Sequence, residues 1–251
     1  FYRWIENISD HTENPRALAT FIAVYLLVTL FGMWRYGTKT WLYNADPFGV
    51  FFRLIGLFSI FEKNTLRLPG AGIISARAMH FSEVVFVMVM LGTIAFDGLK
   101  ETKLWAGLLD ATPIAQTCGM IAIIIAMMLV YVFACILSEI FSGREGRHPL
   151  PFLEYAFALL PIAIGYEIAH YIFFFLAESQ TFLVLLSDPM QTGANFFGTA
   201  LNTINYDFLS PESLWHIQII VIVLGHVLSV YSAHVIALQM YQSRGAALKS
   251  Q

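Results

Sequence analysis

Charged residues make up only 12% of this 251-residue chain, about half the share found in an ordinary soluble domain. A water-facing surface cannot be built from so few charges, so a soluble enzyme and a disordered chain are both excluded. Charge of one sign is also lacking. Fourteen Lys+Arg stand against 17 Asp+Glu, which leaves no basic excess to hold phosphates and excludes nucleic acid as a partner. Cysteine is scarce. Cys118 and Cys135 lie in one apolar run, where about 25 Å of helix would separate them, so they cannot pair and form no thiolate cluster. The Gly-x-Ser-x-Gly elbow of serine hydrolases and the Gly-x-x-x-x-Gly-Lys phosphate loop are missing. So is a basic head followed by a signal core and cleavage site. The chain starts at Phe1 rather than Met and is expected to be part of a longer protein.

What is present is apolar. Hydrophobic residues reach 58%, with 22 Phe, and mean hydropathy is +0.68. The lipid bilayer is therefore the expected partner of much of the surface. Five runs are long enough to cross it: 17–34, 78–96, 113–141, 151–176 and 213–241. The expected fold is an all-α, polytopic transmembrane helix bundle, with 1–251 as one transmembrane domain. A shorter run, 46–61, opens on Asp46-Pro47 and carries Arg53. It reads as an amphipathic interfacial helix. The connection 177–212 is long and reads as an outer loop, with a short interfacial helix and a lid folded over the bundle.

Basic residues set the expected orientation. Arg35, Lys39, Arg53, Lys63, Arg67 and Arg77 lie between the first two spans, Arg144 and Arg147 between the third and fourth, and Arg244 and Lys249 in the tail. All ten fall on one side of a five-span chain. The other side holds Arg3, Arg16, Lys100 and Lys103. The amino end is thus expected outside and the carboxyl end in the cytoplasm.

Ionisable residues inside a membrane point to function. The fourth span contains Gly165-Tyr166-Glu167-Ile168-Ala169-His170-Tyr171. Glu167 and His170 are three apart and share a helical face, and Glu-x-x-His is a pairing used by metal-binding bundles. The fifth span carries His216, Gln218, His226 and His234. If the two spans are antiparallel, with Leu176 and Ser213 level, His170 lies about 9 Å and Glu167 about 13 Å below the outer end, between His216 at about 5 Å and His226 at about 20 Å. Such a group suits a divalent transition metal: zinc, iron, copper or manganese. It also suits plain hydrogen bonds between helices. At most one bis-histidine haem could form, so haem is not expected. Glu139, Glu154 and His234 make a second group toward the cytoplasmic side.

The segment from Val87-Met88-Val89-Met90-Leu91-Gly92 through Thr93-Ile94-Ala95-Phe96-Asp97-Gly98-Leu99 resembles a family of bacterial and archaeal integral membrane proteins labelled fenitrothion hydrolase-like. Ala169-His170-Tyr171, Ser187-Asp188-Pro189, Phe197-Gly198-Thr199, Trp215, Gln218, Gly225-His226 and Ala233-His234 carry the same resemblance, which runs from about Trp41 to the end. His216 stands where the family pattern has Tyr. The resemblance implies hydrolysis of an organophosphate triester in a bacterial or archaeal cell membrane, by a longer protein with more spans.

Three functions stay open on the sequence. The first is a membrane-embedded, metal-dependent hydrolase of small hydrophobic esters. His170 and His226 would hold the metal, and Glu167 would act as third ligand or general base on the bound water. The second is a non-catalytic or cofactor-binding subunit of a larger membrane complex, although small-residue motifs for tight helix contact look few. The third is an ion or metal transporter using Glu154, Glu167, His170, His226 and His234 as steps. The orientation has a direct check in intact cells, with Cys118 and Cys135 first replaced by Ala. A cysteine at Asn195 should react with an impermeant maleimide, and one at Gly146 should not.

Overall fold

A computed structural model describes residues 14–62, 64–76, 79–108, 112–142, 151–241 and 243–250. Of the residues that set the expected orientation, Arg3, Lys63, Arg77, Arg144 and Arg147 lie outside this set. In chain order the helices are α1 (Pro15–Tyr36), α2 (Thr38–Asn44), α3 (Pro47–Ile55), α4 (Ala71–Ser75), α5 (Phe81–Lys100), α6 (Lys103–Leu108), α7 (Pro113–Phe141), α8 (Pro151–Tyr155), α9 (Leu160–Ser187), α10 (Pro211–Met240) and α11 (Arg244–Lys249). Two-residue strands, Phe61–Glu62 and Thr65–Leu66, form a small antiparallel ladder. Five stretches are long and apolar enough to cross a membrane: α1, α5, α7, Pro151–Ser187 and α10. The protein is an all-α, polytopic helix bundle. Its contacts fall into two units, residues 1–160 with 229–251, and residues 161–228.

In the first unit, Asn14 caps α1 by accepting the N–H groups of Arg16 and Ala17 at 3.1 and 3.3 Å, and Pro15 occupies the first helical turn where no N–H is needed. The helix stops at Gly37, whose φ of 85° a side chain would strain. The chain then turns back, and the Trp41 indole packs on Gly32 so tightly that a Cβ there would fall 2.2 Å from the ring. The expected interfacial helix is α3, extended by a 3-10 turn over Gly56–Phe58. Asp46 does more than open it. Its carboxylate is 3% exposed. It accepts the Gly49 N–H at 2.7 Å and the Tyr25 hydroxyl at 2.6 Å, and so ties α3 to α1. On α3, Val50 and Leu54 are buried while Phe48 and Phe52 are exposed.

The central helix of this unit is α5. Half of its apolar window is buried, against 11% for α7. The two helices meet at Gly92, where a Cβ would come within 2.7 Å of the Ile124 side chain. Beyond the contact, Phe96, Trp105 and Met120 form a core cluster. The Trp105 ring stands edge-on to Phe96 at 5.4 Å and its indole N–H donates to Gln116 at 2.8 Å. Pro151–Ser187 is interrupted by a 3-10 turn at Ala156–Leu159, and Pro161 can offer no N–H to a helical ladder. The carbonyls released nearby find donors elsewhere. Phe152 takes the Tyr131 hydroxyl, Leu153 the Met79 N–H at 3.1 Å, and Ala158 the Ser229 hydroxyl.

In the second unit α9 and the first part of α10 are joined by residues 188–210. The sequence suggested a break after Leu176 and a separate short helix. Instead α9 continues unbroken to Ser187, because 177–186 contains neither Gly nor Pro and the stop comes only before Pro189. The long loop is correspondingly shorter and folds back along the end of α9. Ser187 holds Asn195 and Phe197 through its hydroxyl at 2.9 and 3.1 Å. Gln180 exchanges two 2.9 Å bonds with the Asn205 backbone, and Thr199 donates to the Leu183 carbonyl at 2.8 Å. The Asp188 carboxylate closes the turn on the N–H groups of Thr192 and Gly193.

The Gly92 contact yields a stability prediction. Gly92→Val should destabilise the protein by about 1–3 kcal/mol, the usual cost of overpacking. Gly98→Ala, on the same helix where a Cβ meets nothing within 4 Å, should cost nothing. Thermal unfolding in detergent, followed by circular dichroism, compares the two.

Candidate functional site

The group around Glu167, His170, Gln218 and His226 lies within the second unit, on α9 and α10. Three successive contacts fix how these helices pair. A Cβ on Gly225 would fall 2.8 Å from the Pro161 carbonyl oxygen, and one on Gly165 would fall 3.2 Å from that of Val221. One turn further along, the Gln218 side-chain amide donates to the Ala169 carbonyl at 2.8 Å. Pro161 therefore faces Gly225, Gly165 faces Val221, and Ala169 faces Gln218. The antiparallel depths inferred from the sequence hold to within a turn.

That register brings some expected site residues together and keeps others apart. His170 is level with Gln218, whose amide is committed to the α9 backbone. His226 lies eight residues further along α10, about 12 Å. Its ring is instead an edge-on neighbour of Tyr166 at 5.9 Å. Two imidazoles that share a metal must bring their nitrogens within about 4 Å of each other, since each bond is about 2.0–2.1 Å. The backbones of His170 and His226 stand about two turns apart along the helices, a spacing their side chains would have to span to share an ion. Among the described residues no three His, Cys, Asp or Glu side chains gather closely enough to hold a metal ion.

His170 and His226 are both exposed, and Glu167 is half-buried. His170 stands edge-on to Tyr171 at 4.7 Å. The Nδ1 of His226 lies 2.8 Å from the Ile222 carbonyl, and that of His216 lies 2.7 Å from the Glu212 carbonyl. A carbonyl only accepts, so in each ring Nδ1 carries the proton and Nε2 is the nitrogen that this carbonyl does not engage. Both histidines can thus receive a hydrogen bond or bind a ligand from outside their own helix. His216 is exposed near the start of α10, against Trp215. Glu139, Glu154 and His234 are half-buried and belong to the first unit.

The first unit holds a second polar group that the sequence did not single out. The Arg53 guanidinium forms an ion pair with Glu83, packs over the Tyr43 ring at 4.3 Å and reaches the Tyr43 carbonyl at 3.4 Å. Glu83 is 7% exposed and also accepts the His80 N–H at 2.8 Å, closing the start of α5. The spacing of His80 and Glu83, three apart before an apolar run, was the available signal. The partnership with Arg53, thirty residues earlier, had none.

No family model, curated protein or solved structure matches the chain.

Proposed function

We propose that this protein is a non-catalytic or cofactor-binding subunit of a larger assembly in a bacterial or archaeal cell membrane. The observation that carries the reading is the position of two exposed imidazoles. His226 is the sixteenth of the 30 residues of α10, and His170 lies near the middle of Pro151–Ser187. A polar side chain at mid-span normally faces a protein neighbour or a water-filled cavity, since facing lipid is costly. His226 is exposed there and its Nε2 is not engaged by the Ile222 carbonyl, which suits a donor or a cofactor supplied by an adjoining transmembrane helix.

The hydrolase reading, drawn from the family resemblance, asks His170 and His226 to share one metal ion. The pairing of α9 with α10 sets their backbones about two turns apart, which favours that reading less. The subunit reading needs no such meeting, because each histidine serves its own contact. It keeps the orientation drawn from the basic residues, with the 188–210 loop outside and the carboxyl end in the cytoplasm.

Native mass spectrometry of protein extracted from its source membranes in mild detergent tests the reading. The expected result is a species heavier than one chain. In His226→Leu the assembly should weaken by about 1 kcal/mol, the scale of one interhelical hydrogen bond in a membrane, with the fold unchanged by circular dichroism. A single-chain species carrying one transition metal and an esterase activity that both His170→Ala and His226→Ala abolish would overturn it.

A further inference from the structure

The polar group at the start of α5 borders a cavity of about 340 Å³ lined by Val50, Arg53, His80, Ser82, Glu83 and Phe86. We propose that this cavity is a binding site for the phosphate-bearing headgroup of an anionic phospholipid.

Four observations lead there. First, the cavity lies at the end of a span. The helix α5 crosses the apolar layer from Phe81, so its first turn marks the level where lipid headgroups sit. Second, the donor is already in place. Arg53 is held from two sides, by Glu83 and by the Tyr43 ring, which fixes its guanidinium in the cavity wall. Phosphate oxygens are the natural acceptors of a guanidinium. The His80 ring and the Ser82 hydroxyl add polar groups to the same wall.

Third, the approach is apolar. Phe48, Phe52 and Phe81 are all exposed around α3 and the start of α5. A ligand with acyl chains is matched by that surface, and a small water-borne ion is not. Fourth, the stretch of sequence that supplies Arg53 is basic. Residues 35–77 contain Arg35, Lys39, Arg53, Lys63, Arg67 and Arg77 against only Asp46 and Glu62, and the Asp46 carboxylate is buried and hydrogen-bonded. The Glu83 carboxylate is engaged both by Arg53 and by the His80 N–H. The volume is at the lower end of ordinary ligand sites, about 300–1,000 Å³, which suits a headgroup with the chains left in the bilayer.

The test uses the purified, delipidated protein in detergent and follows its thermal midpoint against three titrants. These are a short-chain phosphatidylglycerol, the matching phosphatidylcholine, and inorganic phosphate. The expected result is tighter apparent binding of phosphatidylglycerol than of phosphatidylcholine by about fivefold, the scale of one well-placed basic residue acting on a lipid charge, with no shift from inorganic phosphate. Arg53→Gln should erase the preference. Because that change also breaks the pair with Glu83, Ser82→Trp is the second variant. Ser82 is exposed at the rim, and the indole blocks the cavity while the ion pair stays intact. Equal binding of the two lipids, or a preference that survives in Ser82→Trp, overturns the proposal. An equal shift from inorganic phosphate assigns the site to a soluble phosphate and overturns the lipid.

Discussion

Hydrocarbon offers no water to a polar group, and an unsatisfied one there costs several kcal/mol. Much of the fine structure of this protein is the outcome of that constraint. Asp46 is deeply buried, yet its carboxylate receives a backbone N–H and a tyrosine hydroxyl from a different helix. Thr93, inside α5, returns its hydroxyl to the carbonyls of Val89 and Met90. The carbonyls disturbed by the 3-10 turn before Pro161 are met by Tyr131, Met79 and Ser229. In the first and last cases the polar atom that looks expensive also ties one segment of the fold to another.

Glycine supplies the other half of the account. Where two backbones must approach, a side chain is absent. Gly32 admits Trp41, Gly92 admits Ile124, and Gly165 and Gly225 let α9 and α10 touch. The last pair matters most for function. It places successive turns of α9 against successive turns of α10, and that register decides which histidines can meet. His170 is carried to the level of Gln218 and His226 to that of Pro161, with the His226 ring reaching Tyr166. Both imidazoles are exposed near mid-span, the feature on which the proposed partner helix or shared cofactor rests.

The five spans were legible because length and hydropathy are local properties, and so was α3, which Asp46-Pro47 announces. The levels of His170 and His226 relative to each other were also legible to within a turn, since they follow from helical rise and an antiparallel pairing. The end of α9 was misplaced because the polar residues Glu178, Ser179 and Gln180 look like a loop, although nothing there breaks a helix. The tight pairing of α9 and α10 had a sequence signal in Gly165-x-x-x-Ala169, the small-residue spacing of close membrane helices. The Arg53–Glu83 pair did not. Its members are thirty residues apart on different helices, and only the fold joins them. Arg53 read alone argued against a span, and Glu83 was not singled out.

Paired cysteines measure the α9–α10 register most directly. In a chain freed of Cys118 and Cys135, a pair at Ala169 and Gln218 should be bridged by a short bifunctional reagent in the intact membrane. A pair at His170 and His226, about 12 Å apart along the helices, should not. Efficient bridging of His170 with His226, and none between Ala169 and Gln218, would contradict the register and return the two histidines to a common site.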